Sequence, residues 1–326
     1  MKALKKKVLP NLLVVMVLLA GSSWGCAHKN LNWREDTTFR QIGSAKELHL
    51  GKEPASRTLA APKELPEMSC GEHERLGDVN FSRGDLGTAF VQYDKALKRN
   101  PDNTRIHHKK GLLLIIAGMN EDAIREFQEV LKKEPRHALS YEGLGMAFFQ
   151  MKRYDEAEVY FRVAVEIDPK LWKSQNYLGI IYDYEKRYDT AVREYNAAIA
   201  LKPDEGLLYN NLGTSYFLAG DYKKAITAFN RGLSTQGAHS KIYNNLGLVL
   251  SKTGKYQEAL EAFRKGGGEA EAYNNLGCIY LKQKKYKEAI RCFEKAIQLK
   301  PAFYTKASEN LKKAKPLHLG YAIRAK

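Results

Sequence analysis

Cysteine is scarce and forms no pattern. Cys26, Cys70, Cys278 and Cys292 are the four in the chain, and none stands in a C-x-x-C or Cys/His spacing that would hold zinc. No zinc-stapled fold is indicated, and Cys278 and Cys292, on the two helices of one repeat, read first as small buried apolar residues and second as a disulfide. Proline is sparse too: 10 residues are too few for a low-complexity chain. Beyond Ala20 no apolar run is long enough to span a bilayer as a helix. Catalytic signatures are missing as well. The eight histidines show no H-E-x-x-H, and there is no P-loop, no G-x-S-x-G and no G-x-G-x-x-G following a strand. Gly266-Gly267-Gly268 lacks the lysine and the strand-to-helix context that cradling a phosphate requires. The sequence therefore reads as that of a non-enzyme, with no cofactor and no metal expected.

What the chain does have is length, apolar content and positive charge. Its 326 residues and 44% hydrophobic content suffice for a sizeable core. Lys and Arg number 53 against 37 Asp and Glu; residues 1–25 hold four lysines and no acid, leaving +12 on the remainder. Such an excess suits an anionic partner surface, but dispersed charge equally serves solubility, which ranks first here.

Residues 1–25 form a candidate export signal. A basic start is followed by the apolar run Leu12–Ala20 and the small residues Ala20-Gly21-Ser22-Ser23. Gly25-Cys26 then resembles the end of a bacterial lipoprotein signal, which implies acylation of Cys26 and anchoring to a membrane. Ser23 and Trp24 depart from that pattern, and cleavage near Ser22 would instead leave a soluble exported protein. Ala27 lacks the aspartate of an inner-membrane retention signal, so the resemblance points to the outer membrane, facing the periplasm. Residues 26–69 show no sustained period and carry scattered Gly and Pro, which predicts a flexible tether of roughly 35–40 Å end to end.

The rest is dominated by repetition. Gly77, Gly111, Gly145, Gly179, Gly213 and Gly247 lie 34 residues apart, and Gly277 follows after 30. Ala89, Ala123, Ala157, Ala191, Ala225, Ala259 and Ala289 keep the same steps, as do Tyr93, Phe127, Phe161, Tyr195, Phe229, Phe263 and Phe293. The phrase Tyr-Asn-Asn-Leu-Gly recurs at 209–213, 243–247 and 273–277. Each unit holds two helical stretches joined at a turn, with Gly84, Gly118, Gly220 and Gly254 at turn positions. One pair cannot bury its apolar face alone, so stability must come from stacking, with the aromatic series filling the groove between neighbours. The units span 70–103, 104–137, 138–171, 172–205, 206–239, 240–269 and 270–303. Lys110 replaces an apolar residue and is expected to loosen its helix, and Gly237 stands where the closing proline of the fifth unit would be. Lys265-Gly266-Gly267-Gly268 predicts an early stop in the short sixth unit. Residues 304–315 read as an amphipathic capping helix ended by Pro316, and 316–326 as a short basic tail.

This period, with its recurring aromatic, Leu-Gly, Tyr, Ala, Phe, Ala and Pro, resembles the tetratricopeptide repeat. The resemblance implies an all-α fold: a right-handed superhelical α-solenoid of seven helix pairs plus a C-terminal capping helix. It also implies that the first helix of each pair lines a concave groove. On that basis Lys109, Leu112, Ile116, Met146, Phe149, Asn176, Tyr177, Ile180, Tyr184, Asn211, Thr214, Phe217, Asn245, Leu248 and Asn275 are the expected groove residues. Arg105, His108 and Lys109 would form a basic entrance, and the asparagines an amide ladder that either binds an extended backbone or bonds a neighbouring helix. The expected function is a protein-binding scaffold of the bacterial envelope that takes a peptide or helix in the groove. Signal, tether and array together resemble assembly lipoproteins of pilus, secretion or polysaccharide-export systems. The alternatives are binding of an anionic polymer and regulation of an enzyme in trans; nucleic acid ranks behind protein as a partner, and the oligomeric state is open.

Overall fold

The computed structural model describes residues 68–236, 239–301 and 305–324. The expected leader, Cys26 and the expected tether up to residue 67 lie outside the described residues, as does Gly237. Among those described there are fifteen α-helices and no strand. The first three pairs are α1 (Cys70–Ser82) with α2 (Leu86–Arg99), α3 (Thr104–Ile116) with α4 (Asn120–Lys133), and α5 (Ala138–Gln150) with α6 (Tyr154–Ile167). Then come α7 (Trp172–Tyr184) with α8 (Tyr188–Leu201) and α9 (Gly206–Leu218) with α10 (Tyr222–Leu233). The array closes with α11 (Ser240–Lys252) and α12 (Tyr256–Gly267), α13 (Glu269–Lys282) and α14 (Tyr286–Leu299), and the single α15 (Thr305–Arg324). Each second helix packs on the first helix of the next pair, and first helices also touch one another, as α7 touches α9 and α9 touches α11. The result is an α-solenoid.

The repeated glycine and aromatic are two halves of one contact. A Cβ built on Gly213 would lie 2.7 Å from the ring of Phe229, and the same holds for Gly179 at 2.6 Å from Tyr195. A ring can lie flat on helix backbone only where no side chain intervenes. These rings are 0–1% exposed throughout the series, and the repeated alanines are at 0%. The rings therefore sit mainly on the glycine of their own repeat, between its two helices. Phe127 also reaches Gly143 of the following repeat.

Two expectations are corrected. Lys110 does not loosen α3, which runs unbroken; its ammonium meets Asp94 at 3.2 Å and Glu126 at 3.0 Å and lies 4.9 Å from the centre of the Phe90 ring. The aliphatic stem fills the apolar position while the charge is neutralised at its end. Pro316 does not end the last helix, which continues to Arg324. The proline is exposed, so water can satisfy the freed carbonyl one turn back. Residues 316–324 are thus helix rather than tail. The expected turn glycines Gly84, Gly118, Gly220 and Gly254 do take the left-handed conformation, and Lys152, Lys186 and Lys284 take it in other units at φ 61°, 61° and 60°. In the sixth unit α12 stops at Gly267, and Gly268, at φ 88°, ends that helix and opens α13 directly.

Candidate peptide-binding surface

The expected basic entrance is spent on the repeat before it. The Arg105 guanidinium donates to Glu74 at 2.5 Å, and the Lys109 ammonium reaches Glu74 at 2.7 Å and Asp78 at 2.6 Å. Those cations hold the Glu74 carboxyl below its usual range even though burial works the other way. Burial, then the neighbouring His137 ring 5.2 Å away, push His108 down to about 4, so it is neutral at ordinary pH. Instead of an open cationic mouth there is an ion-paired joint between the first two units.

The amide ladder is likewise an internal joint. The Asn211 amide donates to Asn176 at 2.9 Å, that of Asn245 to Asn210 at 2.8 Å, and that of Asn310 on α15 to Asn274 at 3.0 Å. Lys109 with Glu74 occupies the same place in the first interface as an ion pair. Asn176, Tyr177, Ile180, Asn211, Thr214, Asn245 and Leu248 are all buried, at 2–7% exposure. They were expected to face the groove, but neighbouring helices cover that stripe, with first helices touching one another as α7 touches α9 and α9 touches α11. Thr214 donates to the Asn210 carbonyl, a bond within its own helix. Leu112 and Ile116 are half-buried against the core of the first repeats, and Asn275 is half-buried on α13.

Among the half-buried members of the predicted set, the aromatics form a run across repeats. Phe149, with Met146 near it, packs edge-on to Tyr177 at 5.0 Å and tilted to Tyr154 at 5.3 Å; Tyr154 stacks on Tyr184 at 4.6 Å. One repeat further, Phe217 lies 5.8 Å from Tyr222. Phe149, Tyr154, Tyr184, Phe217 and Tyr222 are each half-buried, and they come from three successive units. Sequence reasoning missed Tyr154 and Tyr222, because they open second helices rather than first ones. The signal was available: tyrosine recurs at 154, 188, 222 and 256 in steps of 34. Such a stripe offers ring faces and hydroxyls at repeat spacing, which suits apolar side chains of a docked segment. Among the described residues no group of three or more His, Cys, Asp or Glu could hold a metal ion. The three described cysteines are free, and burial pushes the Cys292 thiol up to about 11.

Models of the tetratricopeptide repeat match residues 108–171, 174–205, 204–266 and 270–303. No curated protein matches the chain. Among solved structures, a tetratricopeptide repeat protein from Parabacteroides merdae aligns over 76% of this chain and 98% of its own at 16% identity and a TM-score of 0.55. The APC/C hetero-tetramer Cut9–Hcn1 aligns over 74% of this chain and 47% of its own, at 22% identity and a TM-score of 0.54. MamA aligns over 58% of this chain and 95% of its own, at 24% identity and a TM-score of 0.45.

Proposed function

We propose, from the premise that this chain belongs to the tetratricopeptide repeat family, that it is a non-enzymatic scaffold receiving a partner protein's segment on its aromatic stripe. The observation that carries this is the half-buried run of Phe149, Tyr154, Tyr184, Phe217 and Tyr222 across adjacent units. Rings that a self-sufficient core would cover are left partly open in register. An amphipathic helix or extended peptide placing apolar residues at matching intervals would cover them. The site of action in this reading is the bacterial envelope, with Cys26 as lipid anchor at the outer membrane and the periplasm as working compartment. The task is to assemble or localise a larger complex, of the pilus, secretion or polysaccharide-export kind. Binding of an anionic polymer through Arg105, His108 and Lys109 is disfavoured, because two of those charges are paired and the third is absent.

The test is photocrosslinking in cells from a probe at Tyr184, with one at the exposed Val159 as control. The stripe should yield a discrete adduct that Val159 does not, and changing Phe149 and Phe217 to lysine, with the probe kept at Tyr184, should abolish it. Retention of every adduct by that double variant sinks the reading.

A further inference from the structure

The excess positive charge is not spread along the array. Residues 282–326 hold 13 Lys and Arg against 3 Asp and Glu, so +10 of the chain's +16 lies in its last 45 residues. Residues 27–281 are close to neutral, at +2. Dispersed charge, the basis for ranking simple solubility first, therefore does not describe this chain.

The structure shows what that end looks like. Lys287, Arg291 and Lys295 stand at successive turns of one face of α14, all exposed. Lys282, Lys284 and Lys285 are partly or fully exposed at the turn before it, and Lys306, Lys312, Lys313 and Lys315 are exposed along α15. Lys315 reaches Glu294 at 3.7 Å, which sets this part of α15 beside the α14 stripe. Among the described basic residues from 282 onward, only Lys300 and Lys315 form ion pairs with carboxylates. Toward the first unit, by contrast, Arg105, Lys109 and Lys110 are all neutralised. Leaving so many like charges unpaired on one unit costs self-repulsion, which an anionic partner would relieve.

The second feature is apolar. α15 has 20 residues against 14 for α14, so at the helical rise it exceeds its neighbour by roughly 9 Å. Ala307, Asn310, Leu311 and Ala314 bind its first half to the array, while Leu317 is left 49% exposed just after them. The helix continues through Leu317-His318-Leu319-Gly320-Tyr321-Ala322-Ile323 before Arg324. Lysines lead into this apolar run and Arg324 and Lys326 close it. Nucleic acid has no use for the apolar run; an anionic lipid surface uses both parts, headgroups for the cations and the acyl boundary for the apolar residues.

We infer that the C-terminal unit, α14 with α15, is a docking surface for an anionic membrane leaflet. It is separate from the aromatic stripe, so a partner on the stripe would be presented close to the membrane.

The test is co-flotation of residues 27–326, which lack the expected leader and acylation site, with vesicles of phosphatidylcholine, with and without phosphatidylglycerol, at low and high salt. Binding should require the anionic lipid and weaken with salt. Each of K287Q, R291Q and K295Q should cost about fivefold in partitioning at low salt. L317Q should remove most of the binding that survives high salt. The four positions are exposed, so the variants should melt with the parent, checked by circular dichroism. Equal binding to neutral vesicles overturns the inference, as does a charge-neutralised triple variant that partitions like the parent. So does tighter binding to duplex DNA than to anionic vesicles. The aromatic stripe is intact in every variant, so loss of partner capture and loss of membrane docking are read separately.

Discussion

Asp183 is a buried carboxyl whose ionisation the fold opposes, and replacing it with asparagine should stabilise the protein in a pH-dependent way. It lies in the last turn of α7, 5% exposed, where the negative end of the helix dipole opposes a carboxylate. Burial is the main cause that pushes its carboxyl up to about 7; the nearby Ser215 and the Tyr195 hydroxyl, donating at 2.9 Å, pull it back only in part. Asp183 Oδ1 and Ser215 Oγ are each left without a well-formed hydrogen bond. The sign follows from proton binding. Between about pH 4 and pH 7 the unfolded chain has lost this proton and the folded chain keeps it, so stability falls as pH rises. A carboxyl moved from 3.8 to about 7 costs at most about 4 kcal/mol once fully ionised. The uncharged amide of the D183N variant would still accept from Tyr195 and could donate to Ser215. D183N should therefore gain about 2–4 kcal/mol above pH 8 and close to nothing near pH 4. In a thermal melt that is about 2–4 °C per kcal/mol for an array of this size. Equal shifts at both pH values, or destabilisation at high pH, would refute the reasoning. Glu142 and Glu194 are raised by burial in the same direction, and their contribution persists in the variant as a smaller residual slope.

The amide joints should behave as structure rather than as ligand contacts. N211L strands the Asn176 oxygen and should cost about 1–3 kcal/mol in urea denaturation, whereas N176L/N211L should cost less than the two single changes summed. G213A drives a methyl into the Phe229 ring and should lose about 1–3 kcal/mol; a neutral outcome would mean the ring is not held there. K152G relieves a left-handed lysine and should gain about 0.5–1 kcal/mol by the same assay, whereas G118A, at a turn that already has glycine, should lose stability.

The architecture was legible because the same packing problem is solved seven times. A glycine that must admit a ring and an alanine at zero exposure leave a period that no single unit would reveal. The candidate site was legible only in part. Phe149, Tyr184 and Phe217 followed from helical spacing, but Asn211 and Asn245 share that spacing and turned out to be joints. Spacing places residues on a stripe; it does not say whether the next helix covers the stripe. Tyr154 and Tyr222 were passed over for the converse reason, since they start helices assigned to the outer layer yet reach the same aromatic cluster. The basic C-terminal unit could have been counted from the sequence directly, and was obscured by reading net charge over the whole chain.

By itself, the sequence determined the repeat, its phase and the helix-turn-helix content of each unit. These depend on local periodicity and on which residues tolerate close approach. Tertiary structure alone decided which polar residues are spent within the fold. Lys109 could have been a ligand contact until Glu74 and Asp78 were seen beside it, and Lys110 a defect until Asp94 and Glu126 were. A charge or an amide becomes available to a partner only when no neighbouring helix satisfies it. Here the satisfying residues lie 16 positions away for Lys110 with Asp94 and 35 for Lys109 with Glu74, beyond the reach of local periodicity.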